Sequence, residues 1–261
     1  MDYAMLQVEL SEQIATVTLN RPEVRNAFNE AMIAETTDIF RQLDARDDVR
    51  AIVLAANGPA FCAGADLNWM RRMASFSDED NRTDARRLAE MLSTIYHSSK
   101  PVIARVSGDA YAGGVGLVAA SDVVVAVESA RFCLSEARLG LIAATISPYV
   151  VRALGERASR RYFTTAEQFD CATALRLGLV HEAVSADTLD ATVQQIASAL
   201  CANGPRAVRE SKRLVLDVAG RPLDEALIDD TAARIARVRA SAEGCEGIAA
   251  FLEKRAPAWR N

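Results

Sequence analysis

Apolar and polar positions alternate with period two in "LQVEL" and again in "IATVTL", with "SEQ" between them. That period predicts two half-buried strands joined as a hairpin. "NRPEVRNAF" breaks the alternation and predicts a loop, with Asn26 as the cap of the next helix. Met32, Ile33, Ile39, Phe40 and Leu43 then recur near helical spacing and predict a helix over Glu30–Ala45. "RAIVLAA", "PVIARVSG" and "DVVVAV" are short apolar runs of buried-strand type. The Gly-rich turn "NGPAFCAGADL" follows the first run and leads toward a helix. A polar helix over Asp78–His97 ends before Pro101, and "ARFCLSEARLGL" predicts a short strand and a turn. Apolar strands separated by crossovers give α/β with a largely parallel sheet.

From Pro148 onward the pattern is mostly helical, with one short strand at "LVHEAV". Amphipathic helices are predicted over Ala186–Ala202, Pro205–Val218, Leu223–Ala240 and Gly244–Arg255. Gly204, Gly220 and Gly244 punctuate them, and Pro205 and Pro222 fit helix starts. No internal repeat stands out. The expected organisation is a core over residues 1–200 and a helical region over 201–261 that packs on the core and on neighbouring subunits.

Composition narrows the function. Of 261 residues, 50% are hydrophobic and 25% charged, as in ordinary globular enzymes. The net charge of −5 offers no basic field, so no nucleic-acid partner is expected. No 18-residue apolar run marks a membrane span. Acidic Asp2 and Glu9 break the pattern of a secretory leader, so the cytoplasm is the expected compartment. The five cysteines are scattered and the two histidines isolated, so neither a metal site nor a disulfide framework is expected.

Two Gly-rich stretches carry the candidate chemistry. "AFCAGADL" reads either as a plain strand-to-helix turn or as a turn presenting backbone N–H groups to an oxyanion. "YAGGVGLVAASD" matches the GxGxxA dinucleotide fingerprint at Gly114, Gly116 and Ala119, with Glu136 twenty residues past Gly116. The match is poor in context. The preceding strand ends near Val106, "SGDAYAG" intervenes, and Glu136 falls beyond the next strand rather than at its end. The competing reading is a second backbone donor at a helix N-terminus. Glu136 is flanked by Phe132, Cys133, Leu134, Leu139 and Leu141. It is either a surface acid or a carboxyl whose pKa apolar surroundings raise into working range. Arg71 and Arg72 read as a solvated helix face or as an anion contact at a ligand's entrance. His97 and His181 have no serine or cysteine partner at an informative spacing.

"NRPEVRNAF", "AFCAGADL", "SGDAYAGGVGLVAASDVVVA", "FCLSEARLGLI" and "GIAAFLEKRAP" stand in this order across nearly the whole chain. The set resembles the enoyl-CoA hydratase/isomerase (crotonase) family. The resemblance implies a spiral of ββα repeats with a helical C-terminal region that forms homotrimers, often paired into hexamers. It implies an acyl-CoA substrate and no separate cofactor, coenzyme A being part of the substrate. It places the two N–H donors for the thioester oxygen at Ala63 and Gly113, and the catalytic acid at Glu136. It assigns Arg25, the turn Ala63, Gly64, Ala65, Asp66 and Leu67, and Phe251 and Lys254 to coenzyme A. A second acid, usual in hydratases of the family, falls on Gly116. "ADLNWMRRM" and "LSEARLGLIAATISPYVVRALGERASRRYF" further resemble bacterial 3-methylglutaconyl-CoA and isohexenylglutaconyl-CoA hydratases. That implies a branched or carboxylated acyl group, with Arg71, Arg72 and Arg138 as candidate partners for a second carboxylate. Position in the chain suggests Trp69, Met73, Ile142, Ile146 and Tyr149 as acyl-pocket residues. The expected activity is hydration by a single glutamate. The alternatives are an enoyl-CoA isomerase using Glu136 as a proton shuttle and a non-catalytic acyl-CoA-binding homologue.

Overall fold

The structure, a computed structural model, describes residues 3–260. The chain ends, including Asp2, lie outside the described residues. β1 (Leu6–Ser11) and β2 (Ile14–Leu19) form the expected hairpin, with Leu6 opposite Leu19. Its turn residues Glu12 and Gln13 both have positive φ, the geometry that matches the twist of paired strands. β3 (Ala51–Ala56), β5 (Val102–Val106), β7 (Val123–Val127) and β10 (Glu182–Val184) extend it in parallel, giving the order β1-β2-β3-β5-β7-β10. β3 is buried along its whole length, as an apolar run in a covered parallel sheet must be.

A second sheet was not legible as such. It consists of β4 (Ala60–Cys62), β6 (Asp109–Tyr111), β8 (Arg131–Cys133) and β9 (Gln168–Asp170), in the order β4-β6-β8-β9. Only β8 is predicted by pattern, because three residues are too few to show a period. The two sheets are threaded by one repeating unit. A strand in the large sheet is followed by a short strand in the small one and then by helix. β3 and β4 lead to α2 (Leu67–Met73) and α3 (Asp78–Tyr96). β5 and β6 lead to α4 (Gly113–Ala120), and β7 and β8 to α5 (Ser147–Thr165). This is the implied ββα spiral, a repeat of geometry and not of residues.

α1 (Glu30–Asp44) buries Met32, Ile33, Ile39, Phe40 and Leu43 and packs against α3. Its cap is Asn29, whose side chain accepts the Met32 N–H at 2.8 Å, and not Asn26. Asn26 is buried at φ 55° and ties its loop to the β3–β4 corner. It accepts from Arg21 N–H and donates to the carbonyls of Asn57 and Ala60. α4 is apolar all round and almost wholly buried. α6 (Cys171–Leu177) and α7 (Leu189–Cys201) complete the core. α8 (Pro205–Val218) buries no side chain fully, α9 (Glu225–Arg239) buries Leu227, and α10 (Ala242–Leu252) buries Ala250. Among the described residues, no helix is long and apolar enough to cross a membrane.

Candidate active site

The first Gly-rich turn runs from the end of β4 to the start of α2. Gly64 sits at φ 91°, a conformation that favours glycine. A short parallel bridge pairs Phe28 with Ala65: Phe28 N–H donates to Gly64 O at 2.6 Å and Asp66 N–H to Phe28 O at 2.8 Å. Ala63, the expected oxyanion donor, has its N–H engaged by the Arg25 carbonyl at 3.0 Å. In extended backbone, successive residues direct their N–H and C=O groups to opposite sides. Ala65 therefore turns its N–H away from Phe28, and that N–H makes no hydrogen bond among the described residues. The free donor of this turn is Ala65 and not Ala63.

Asp66, assigned by resemblance to coenzyme A, is buried and structural. Its carboxylate caps α2 through Asn68 N–H and Trp69 N–H and pairs with Arg21 at 2.9 Å. Burial opposes ionisation there, yet the Arg21 guanidinium and the two N–H groups hold the carboxyl below the usual aspartate range.

The second turn joins β6 to α4. Ala112 precedes the helix at φ 48°, ψ −117°, and its N–H donates to Cys133 O at 2.8 Å. Gly113 is the first residue of α4, so its N–H has no partner within the helix. The glycines of the two turns serve their mutual packing. A Cβ on Gly114 would come 2.5 Å from Cys62 O, and one on Gly113 would come 2.6 Å from the Phe28 ring. A Cβ on Gly64 would stand 3.0 Å from Ala112 Cβ. The bare backbone thus brings the free N–H groups of Ala65 and Gly113 onto neighbouring turns.

Glu136 opens a single 3₁₀ turn, Glu136–Leu139, just past β8. The Ala112–Cys133 hydrogen bond holds that strand end beside the start of α4. Glu136 Oε2 is buried without a hydrogen-bond partner. Burial pushes its carboxyl above the ordinary glutamate value of 4.5. Its apolar flank divides: Phe132, Cys133 and Leu134 are core, while Leu139, Leu141 and Ile142 are exposed.

The five acyl-pocket candidates do not share one surface. Trp69, Ile146 and Tyr149 are buried, Met73 is half-buried, and Ile142 is 83% exposed. Gly116 is buried with the Ile146 side chain seated against it. Sequence reading missed Asp84 on α3, whose carboxylate accepts the Trp69 Nε1–H at 3.2 Å. Burial raises its carboxyl as well. Arg72 pairs with Glu30 at 2.6 Å and is not free for a second carboxylate. Arg71 and Arg138 have neutral partners, Asn68 Oδ1 and the Ala166 carbonyl.

Arg25 and Ala63 do come together. They line a cavity of about 210 Å³ with Pro59, Ala60, Asp109 and Tyr111. Burial and the hydrogen bond to Asp109 push the Tyr111 hydroxyl up to about 12, so it stays a neutral donor. Leu67 is exposed beside this turn, while Phe251 and Lys254 lie at the outer end of α10. α10 packs on α8 and α9. Within one chain, neither Phe251 nor Lys254 is drawn to the two turns by that packing.

The Enoyl-CoA hydratase/isomerase family model matches residues 9–261. An enoyl-CoA hydratase structure from Shewanella pealeana is 44% identical, with a TM-score of 0.95, over 98% of this chain and 96% of that one. An enoyl-CoA hydratase structure from Mycobacterium smegmatis is 36% identical, with a TM-score of 0.93, over 98% and 99%. The mevalonyl-coenzyme A hydratase of Aspergillus fumigatus is 34% identical over 95% of this chain and 91% of its own. With a match along almost its entire length, the chain belongs to the enoyl-CoA hydratase/isomerase family.

Proposed function

We propose that the protein hydrates a 2-enoyl-CoA using Glu136 as its single acid–base group. The observation that carries this reading is the buried, unpartnered Oε2 of Glu136, three residues beyond the strand end that the Ala112–Cys133 hydrogen bond holds beside the free Gly113 N–H. The thioester oxygen accepts from Gly113 N–H and Ala65 N–H. The Glu136 carboxylate takes a proton from water as the water oxygen bonds to C3. The π pair of the double bond moves to form the enolate, whose charge the two N–H groups stabilise. Protonated Glu136 then returns its proton to C2, so one carboxyl serves both halves of the addition. We assign Arg25, which lines a cavity with Ala63 and Tyr111, to the coenzyme A phosphates.

The acyl group we favour is branched or carboxylated, as in 3-methylglutaconyl-CoA. The mevalonyl group named in one relative is branched at C3. Of the three candidate arginines, Arg71 and Arg138 have neutral partners, and we assign the second carboxylate to one of them. Loss of enoyl absorbance with crotonyl-CoA and 3-methylglutaconyl-CoA tests the reading. Hydration of at least one is expected, and Glu136→Gln is expected to slow it by roughly 10²–10⁴-fold with CoA-ester binding retained. Near-normal turnover in Glu136→Gln removes Glu136 from its role. A specific observation favours a second reading: glycine stands where a second acid would be. Conversion of a 3-enoyl-CoA to its 2-enoyl isomer, with no hydration of either substrate, makes Glu136 a carbon-to-carbon proton shuttle instead. CoA-ester binding with neither reaction would leave a non-catalytic acyl-CoA-binding protein.

A further inference from the structure

Gly116 is the third residue beyond Gly113, one turn into α4. A helical side chain leans over the turn N-terminal to its own Cα. A side chain at position 116 would therefore lie over the first turn of α4, where the Gly113 N–H is free. That space is already filled. A Cβ on residue 116 would overlap Ile146 Cγ2, come 3.0 Å from Ile146 Cβ and stand 3.5 Å from Leu92 Cδ2. Carbon atoms pack at about 3.5–4.0 Å, so the first two contacts are not tolerated without movement. Ile146 is poorly able to move. It is 1% exposed, and its carbonyl accepts from Tyr149 N–H and Val150 N–H, each at 3.1 Å, at the start of α5.

We infer that Ile146 is a specificity-determining residue: seated on Gly116, it occupies the place from which a second acid would reach the acyl group. The site is thereby held in a one-carboxyl form, with aliphatic carbon where a second acid would stand. Placing an acid at 116 requires exchanging both residues together. The chemical half of this inference rests on the enoyl-CoA reading; the steric half does not.

Two comparisons test it. In the first, thermal midpoints are measured for wild type, Gly116→Ala, Ile146→Gly and the double variant. Gly116→Ala is expected to lower the midpoint by several degrees when Ile146 is present. In the Ile146→Gly background it is expected to leave the midpoint unchanged or raise it, since alanine is the better helix former. An equal cost in both backgrounds shows that Ile146 is not the blocking side chain, and the inference falls. In the second, Gly116→Glu/Ile146→Gly is compared with Gly116→Gln/Ile146→Gly in crotonyl-CoA hydration. The glutamate variant is expected to be at least about tenfold faster. Equal rates show that the slot does not reach the acyl group and overturn the chemical half. A wild type that hydrates neither crotonyl-CoA nor 3-methylglutaconyl-CoA fails the hydratase reading, and the thermal comparison still decides the steric half because it needs no turnover.

Discussion

Ala112 carries backbone angles that an L side chain rarely adopts, directly before the free N–H of Gly113. The conformation is imposed from both sides: its N–H is fixed on Cys133 O, and α4 starts at the next residue. Such a residue holds roughly 1–3 kcal/mol of strain. Ala112→Gly is therefore expected to raise the thermal midpoint while leaving the Gly113 donor in place; a lowered midpoint would show that the Cβ packing beside Gly64 outweighs the strain. Glu136 gives a second prediction with a definite sign. Its folded carboxyl lies above 4.5 because burial disfavours the charge. The stability tied to the protonated form is full below 4.5 and is lost as pH rises through the folded value. Glu136→Gln should thus raise the midpoint at neutral pH, with the gain shrinking in acid, as paired thermal scans at about pH 4 and about pH 7.5 would read. In kcat/KM against pH, the acid limb should fall above 4.5, because water activation needs the carboxylate.

At the scale of elements, Lys212 ties α8 to the chain just before β5 and β7. Lys212 Nζ donates to Asp122 Oδ2 at 2.6 Å and to Lys100 O at 3.1 Å, and the same Asp122 oxygen accepts Val102 N–H at 2.7 Å. Burial pushes the Asp122 carboxyl up, and Lys212 opposes that shift. Lys212→Met leaves the carboxyl buried without its counter-charge and is expected to cost about 3 kcal/mol in urea unfolding. Adding Asp122→Asn should recover most of the loss; no recovery would locate the cost in packing. The same scale shows what the sequence made legible. Runs of five or more residues, such as Ala51–Ala56, or a repeating apolar face, as along α1, declare their element because every residue repeats the signal. β4, β6 and β9 are three residues each, and their pairing is decided by strands distant in the chain. The capping of α1 by Asn29 was hidden because Asn26, an equally good cap by type, is needed to tie down its own loop. Glu136 and the two Gly-rich turns were legible as a set. Which amide of the first turn is free was not, because the Arg25 carbonyl that engages Ala63 comes from another loop. Nor was the seat of Ile146 on Gly116, a contact between segments far apart in the chain.

At the scale of the whole molecule, the C-terminal helices have apolar side chains that one chain leaves uncovered. Leu223 is 85% exposed and Phe251 81%, and Ile228, Ile235, Ile248 and Leu252 are also open to solvent. Single exposed apolar residues are ordinary, but a set of them on successive segments is more than a monomer commonly carries. The single-chain packing of α10 on α8 and α9 does not use Phe251, which points outward beside Lys254. We propose a second copy of the chain as the occupant, because it would cover these apolar residues. The expectation is a homotrimer, or two trimers paired. Light scattering of the purified protein should give three or six times the chain mass, and Phe251→Asp with Ile228→Asp should lower it toward one. The kinetic readout separates the two roles of this end of the chain. If Phe251 and Lys254 reach a neighbour's coenzyme A, Lys254→Ala should raise KM for the CoA ester with the assembly mass and kcat little changed. An unchanged KM in Lys254→Ala, with a trimer that dissociates only in the aspartate variant, would leave the C-terminal helices a purely architectural part of the molecule.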